Sequence, residues 1–361
     1  MGSAHASCIA RVDTGALSHE GGAGVALNGD LMYIAGGHGL AVFDLSDPAL
    51  PKRLGSVIDT GVIRANKTHT QHHHESARLA AELVLVDNEL FVAGNKGLAV
   101  FDVSDAAAPK PVATLDTGAL SHEGDSALAV CGKLLYVAGG KGLAVIDISD
   151  PTSLKPACDV IDTKALSYDG GAAIALASEA DCAVPVMYVA GGKGLAVFDI
   201  STPEAPKKIG DTIDTGALSS SQAGATIGLL GNVMHVVGGK GVSVFDISNP
   251  LEPQRLGGVI DTGAIGWAGD VALAYVGCED VERRDTMLIA GGKGLRVFSI
   301  ADPQKPEAIG EVIDTGALAS DGGAQLVAHG PYVYVIGGKG LVVLDPVKAD
   351  IDVAAQRLLS S

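Results

Sequence analysis

The stretch Ala138-Gly139-Gly140-Lys141-Gly142-Leu143-Ala144-Val145-Ile146-Asp147-Ile148-Ser149-Asp150-Pro151 decides the fold, because it recurs. Its opening turn and strand return at Gly36-Gly37-His38-Gly39-Leu40, Gly94-Asn95-Lys96-Gly97-Leu98, Gly191-Gly192-Lys193-Gly194-Leu195, Gly238-Gly239-Lys240-Gly241-Val242, Gly291-Gly292-Lys293-Gly294-Leu295 and Gly337-Gly338-Lys339-Gly340-Leu341, which makes seven copies. A second phrase, Asp-Thr-Gly or Asp-Thr-Lys, keeps step at Asp13, Asp59, Asp116, Asp162, Asp214, Asp261 and Asp314, with intervals of 46 to 57 residues. A fixed period of this length marks a repeat architecture and takes precedence over any local reading.

Each copy reads as four short strands. In the first copy, Gly22–Leu27 is strand one, and Asn28-Gly29 is a hairpin turn that favours positive φ. Leu31–Ala35 is strand two. The Gly36-Gly37-His38-Gly39 turn leads into strand three, Leu40–Asp44. Pro48 and Pro51 break the chain before strand four, Arg53–Ile58. Seven such antiparallel units predict an all-β, seven-bladed propeller. The last copy lacks a fourth strand of its own, while residues 7–13 match the fourth-strand pattern with no strands before them. The N-terminal strand is therefore expected to complete the last blade and close the ring, giving one domain over 1–347 and a tail over 348–361. A repeat array absorbs 361 residues without a second domain.

The strand and turn phrases Leu143 to Pro151, Leu195 to Pro203 and Val242 to Pro250 resemble the LVIVD-repeat proteins, in which a Leu-Val-Ile-Val-Asp strand is followed by Ser-Asp-Pro. The resemblance runs over nearly the whole chain. It implies a β-propeller and nothing about chemistry, since propellers host many functions.

Composition bounds the partners. The net charge of −17, with no basic run, argues against a nucleic-acid surface. The uncharged run from Thr215 to Gly239 is interrupted by polar residues and glycines and aligns with ordinary strands, so no membrane insertion is expected. The five cysteines contain no CxxC pair and the N-terminus shows no secretory pattern. Both point to a cytoplasmic or other intracellular, reducing compartment without a disulfide scaffold. The Gly-Gly-Lys-Gly turns lack the helix and Ser/Thr of a phosphate loop, so no nucleotide cofactor is expected.

Residues shared by all copies read as scaffold. The Asp of each Asp-Thr-Gly is expected to cap its own turn, and the turn lysines to be exposed, with a bias towards anionic ligands where they share a face. The variable positions lie six residues after each Asp, at one mouth of the central channel. They include His19-Glu20, His122-Glu123, Tyr168-Asp169, Ser220-Ser221-Gln222, Trp267 and Ser320-Asp321. The second blade carries an insertion with His69, His72, His73, His74 and Glu75, whose alignment leaves either His74-Glu75 or Arg78 at the mouth.

Imidazoles from adjacent blades suit a divalent ion. His19, His122 and one or more of His72, His73 and His74 are the candidate ligands for Zn, Fe or Cu. Glu20, Glu123 and Asp169 are the candidate catalytic carboxylates that move the proton, with Glu20 or Glu123 holding a ligand histidine or acting as general base on a metal-bound water. Tyr168, Trp267, Gln222 and Asp321 are the candidate substrate contacts. His235 and His329 read as satisfied structural residues, and the cysteines as structural. The functional expectation is a soluble enzyme acting on a small, anionic molecule by hydrolysis, elimination or oxidation. The alternative is a non-catalytic propeller that binds a ligand or a partner protein. A lectin with one sugar site per blade is disfavoured by the variation at the mouth.

Overall fold

The computed structural model describes residues 8–17, 22–63, 81–121, 124–167, 170–178, 184–218, 224–266, 269–276, 285–319 and 322–345. These residues form seven four-stranded antiparallel sheets, the blades. The innermost strands are, in order, Gly24–Asn28, Ala81–Val86, Ser126–Cys131, Ala172–Leu176, Ala225–Leu230, Ala272–Val276 and Ala324–His329. Strands within a blade follow one another directly, as short hairpins require. The exception is the seventh blade, whose outer strand is the N-terminal Cys8–Val12, paired antiparallel with Gly340–Leu344. The tail from 346 onward lies outside the described residues.

The described residues have no single central core. The buried apolar side chains form clusters at the seams between blades. Tyr136 and Val145 of blade three pack with Met187 and Phe198 of blade four, and Met32 and Phe43 of blade one pack with Tyr334 and Ile336 of blade seven. A blade alone would leave both faces wet, so its neighbours supply the burial that stabilises it.

Proximity to the axis dictates small residues on the inner strands. A Cβ added to Gly24 would lie 3.0 Å from the Ala81 carbonyl of blade two, and one on Gly224 would lie 2.8 Å from the Asp270 Cα of blade six.

The two repeated phrases meet at one end of the blades. The backbone N–H of His38 donates to the Ala16 carbonyl at 2.9 Å, and Lys96, Lys141, Lys193, Lys240, Lys293 and Lys339 donate to the equivalent carbonyls after the other Asp-Thr phrases. Each Asp caps its own turn. The Asp13 Oδ1 accepts from the Gly15 N–H at 2.9 Å, and Asp59, Asp116, Asp162, Asp214, Asp261 and Asp314 do the same.

A second hydrogen bond reaches across several seams. Tyr136, Tyr188 and Tyr334 donate their hydroxyls to the carbonyls of Pro203, Pro250 and Pro48 in the next blade. In blade five His235 takes this place, with Nε2 2.9 Å from the Pro303 carbonyl and Nδ1 2.6 Å from the Tyr275 hydroxyl. A carbonyl only accepts, so Nε2 carries the proton and Nδ1 accepts from tyrosine. His329 Nε2 lies 3.3 Å from Asp30 Oδ1. Both histidines are thus partnered, as structural residues should be.

The cysteines depart from expectation. Cys131 is disulfide-bonded, while Cys8 and Cys158 are free. A disulfide weighs against the reducing compartment that the cysteine spacing suggests.

Candidate active site at the mouth of the axial channel

The inner strands begin at the end of the blades where the Asp-Thr turns and lysine turns lie. Their first residues surround a cavity of about 50 Å³ on the axis, lined from all seven blades. Around this cavity three blades, the first, fourth and fifth, present only glycine or alanine. Four carry something else: Glu82 in blade two, Asp125 with Ser126 in blade three, Asp270 in blade six and Gln325 in blade seven.

The pleat orients them. A Cβ on Gly24 points into blade two, so Glu82, at the matching register, is turned towards blade three. Ser126 has the opposite parity and is turned back towards blade two. The two therefore face each other across one seam. Ser126 is 7% exposed and its hydroxyl has no partner among the described residues. The Asp125 and Asp270 backbones are tied to the next blade, each donating its N–H at 3.2 Å to the Gly170 or Gly322 carbonyl.

Glu82 is partly buried and lines the lumen. Burial pushes its carboxyl from an ordinary 4.5 up to about 8, and the charges of Asp270 and Asp125 push in the same direction. Glu82 therefore holds its proton at neutral pH beside two aspartates. Such an arrangement separates an acid from its neighbouring carboxylates and can donate a proton in catalysis.

Residue reasoning missed Glu82, Asp125 and Asp270. The available signal was register. Nine residues after the repeat Asp stand Gly22, Asp125, Gly171, Asp270 and Gly323, so the two aspartates replace glycines that the axis otherwise demands.

The residues singled out from the sequence, His19, Glu20, His72, His73, His74, Glu75, Arg78, His122, Glu123, Tyr168, Asp169, Gln222, Trp267 and Asp321, lie outside the described residues. Among the described residues, no three of His, Cys, Asp and Glu converge to hold a metal ion. The rim around the mouth has mixed sign. The turn lysines are exposed, but so are the seven capping aspartates. Asp162 is held below the usual carboxylate range by its hydrogen bonds to Lys164, with a smaller contribution from Lys193. No helix among the described residues is long and apolar enough to cross a membrane.

Fold and site together define a seven-bladed β-propeller with an acidic axial cavity at one mouth. The chain carries LVIVD repeats, matched over residues 22–59, 77–117, 125–159 and 187–212. No protein of curated function matches the sequence. Among solved structures it is similar to virginiamycin B lyase from Staphylococcus aureus, at 11% identity and a TM-score of 0.57 over 93% of this chain and 97% of that one. It is also similar to a periplasmic gluconolactonase from Pseudomonas aeruginosa, at 11% identity and a TM-score of 0.55 over 84% and 86%. A functionally unknown protein from Desulfotomaculum acetoxidans aligns at 12% identity and a TM-score of 0.56 over 87% and 88%. At these identities the likeness concerns the fold.

Proposed function

We propose that the protein is an enzyme that acts on a small molecule at the mouth of the axial channel, with Glu82 as the group that moves the proton. The observation that carries this reading is the place of the Glu82 side chain, which lines the axial cavity with Asp125 and Asp270, so that burial and their charges push its pKa up to about 8. A carboxylic acid kept neutral near physiological pH is costly to build and is characteristic of general acids. Solved propellers of this shape include a lyase and a gluconolactonase, so the fold tolerates both elimination and hydrolysis at a comparable scale.

The imidazoles of His19, His122 and His72 to His74 complete the proposal. They are the ligands through which a Zn, Fe or Cu ion would be held, supplying Lewis acidity or redox chemistry. Glu20, Glu123 and Asp169 then serve as further carboxylates, and Tyr168, Trp267, Gln222 and Asp321 as substrate contacts. The mixed rim around the mouth gives no strong preference for an anionic substrate, which revises the expectation from the lysine turns alone.

The test is turnover of a panel of lactones, esters and elimination substrates, with and without chelator, by the wild type and Glu82→Gln. Turnover that falls at least 100-fold in a variant with unchanged melting supports the reading, on the ~10²–10⁴-fold worth of a positioned acid. No turnover across the panel, or turnover indifferent to Glu82, overturns it and favours a ligand-binding propeller without chemistry.

A further inference from the structure

We infer that Cys131 is joined to Cys182, a covalent staple between blades three and four. This goes beyond the proposed activity and holds whether or not chemistry takes place at the axial mouth.

Elimination leaves two partners. The chain has five cysteines. Cys131 is disulfide-bonded, while Cys8 and Cys158 are free. The partner is therefore Cys182 or Cys278, both of which lie outside the described residues.

The fold decides between them. Cys131 ends the inner strand Ser126–Cys131 of blade three. Alternate residues of a strand face opposite sides. Leu128 and Val130 pack in the cluster shared with blade two, whereas Ala127, Ala129 and Cys131 pack in the cluster shared with blade four. Cys131 is thus buried in the seam towards blade four, in one cluster with Leu176. Leu176 ends the inner strand Ala172–Leu176, at the same end of the blades as Cys131.

Cys182 falls in the connection that begins at that point. The Ala177 N–H donates to the Val186 carbonyl at 2.9 Å and closes the connection at its base. Cys182 stands two residues before Val184. At most about 3.6 Å of chain per residue keeps it within roughly 7 Å of that Cα. Cys278 follows the inner strand Ala272–Val276 of blade six. Blades four and five stand between it and blade three on one side of the ring, and blades two, one and seven on the other. A bond to Cys278 would have to cross the axis, away from the seam in which Cys131 is buried.

Forming the bond removes a hydrogen from each thiol. One thiolate attacks a carrier disulfide and releases one carrier thiol. The second attacks the mixed disulfide and releases the other, so the carrier is reduced as the cysteines are oxidised. Cys158 packs against the same cluster as Cys131. Burial, and then the charge of Asp159, pushes its thiol up, which makes it a poor competitor in exchange. The closed loop runs from 131 to 182, long enough for the cross-link to restrict the unfolded chain.

Tryptic mapping of the full-length protein tests the pairing, because trypsin leaves Cys131 in peptide 97–133, Cys158 in 142–164, Cys182 in 165–193 and Cys278 in 256–283. The protein is oxidised with glutathione disulfide, alkylated in denaturant and digested without reductant. Mass spectrometry is expected to find 97–133 joined to 165–193, with Cys8, Cys158 and Cys278 alkylated. Cys182→Ser is expected to lower the melting temperature by at least about 3 °C, and Cys278→Ser to leave it unchanged. The inference is overturned if 97–133 is joined to any other peptide, if Cys131 is alkylated, or if Cys182→Ser melts as the wild type does.

Discussion

The Tyr188 hydroxyl donates a 2.8 Å hydrogen bond to the Pro250 carbonyl, tying blade four to the Asn-Pro turn of blade five. Tyr33 of blade one is equally buried, but its hydroxyl has no partner among the described residues, and the turn of blade two has Ala106 in place of proline. The two tyrosines should respond oppositely to the loss of one oxygen. Tyr188→Phe is expected to cost about 1–2 kcal/mol, and Tyr33→Phe to be neutral or slightly stabilising. Urea unfolding of both variants measures the difference, and equal losses would contradict it.

Close approach at the axis makes a second prediction. A Cβ on Gly323 would collide with the Ala23 backbone at the seam between blades seven and one, whereas one on Gly258 meets nothing within 4 Å. Gly323→Ala should destabilise by about 1–3 kcal/mol through overpacking. Gly258→Ala should be neutral or gain up to about 1 kcal/mol from a stiffer unfolded chain. Thermal melts of the two variants decide the point.

The His235 pair predicts a tautomer. Burial lowers the His235 pKa below its ordinary 6.5, so the ring stays neutral, with the proton on Nε2. Unfolded histidine gains its proton as pH falls through about 6.5 while the native ring resists, so the stability His235 contributes is present above that pH and is lost below it. Nitrogen-15 NMR should find Nδ1 unprotonated at pH 7. Tyr275→Phe, which removes the donor to that nitrogen, should cost about 1–3 kcal/mol.

Stability should peak on the acidic side of neutrality. Asp44, Asp102, Asp147, Asp199 and Asp246 are held below the usual carboxylate range, first by the side chains and then by the backbones of Ser46, Ser104, Ser149, Ser201 and Ser248. Their stabilisation is present above the unfolded carboxylate pKa and is lost as pH falls through the native values. Glu82 has the opposite sign. Its native pKa is raised from 4.5 to about 8, so the native state binds more protons and stability declines as pH rises across that window. Between pH 5 and about pH 6.5 His235 opposes this decline, so melting temperatures should fall from about pH 6.5 to pH 8.5, and Glu82→Gln should flatten that fall while leaving the acid limb intact.

The scaffold was legible because it repeats. Asp13 through Asp314 recur with a shared local chemistry, the capping of a turn two residues on, and that chemistry is contained in four residues. The blade count and the strand order follow from the same period. The axial acids were harder to see, since Glu82, Asp125 and Asp270 are brought together only when three distant blades meet at the axis. Only a comparison of register exposes them, as charges standing where their counterparts are small. The His-Glu positions that drew attention stand before the inner strands, and their role remains part of the proposal for the mouth.

Carbon-13 NMR of the side-chain carboxyls, with Glu82 assigned by its absence in Glu82→Gln, tests the central claim most directly. The account predicts that Glu82 titrates near pH 8, well above the other carboxyls, and that its midpoint falls when Asp125 and Asp270 are both replaced by asparagine. A midpoint near 4.5 would show an ordinary, solvated carboxylate, and the axial mouth would lose its proton donor.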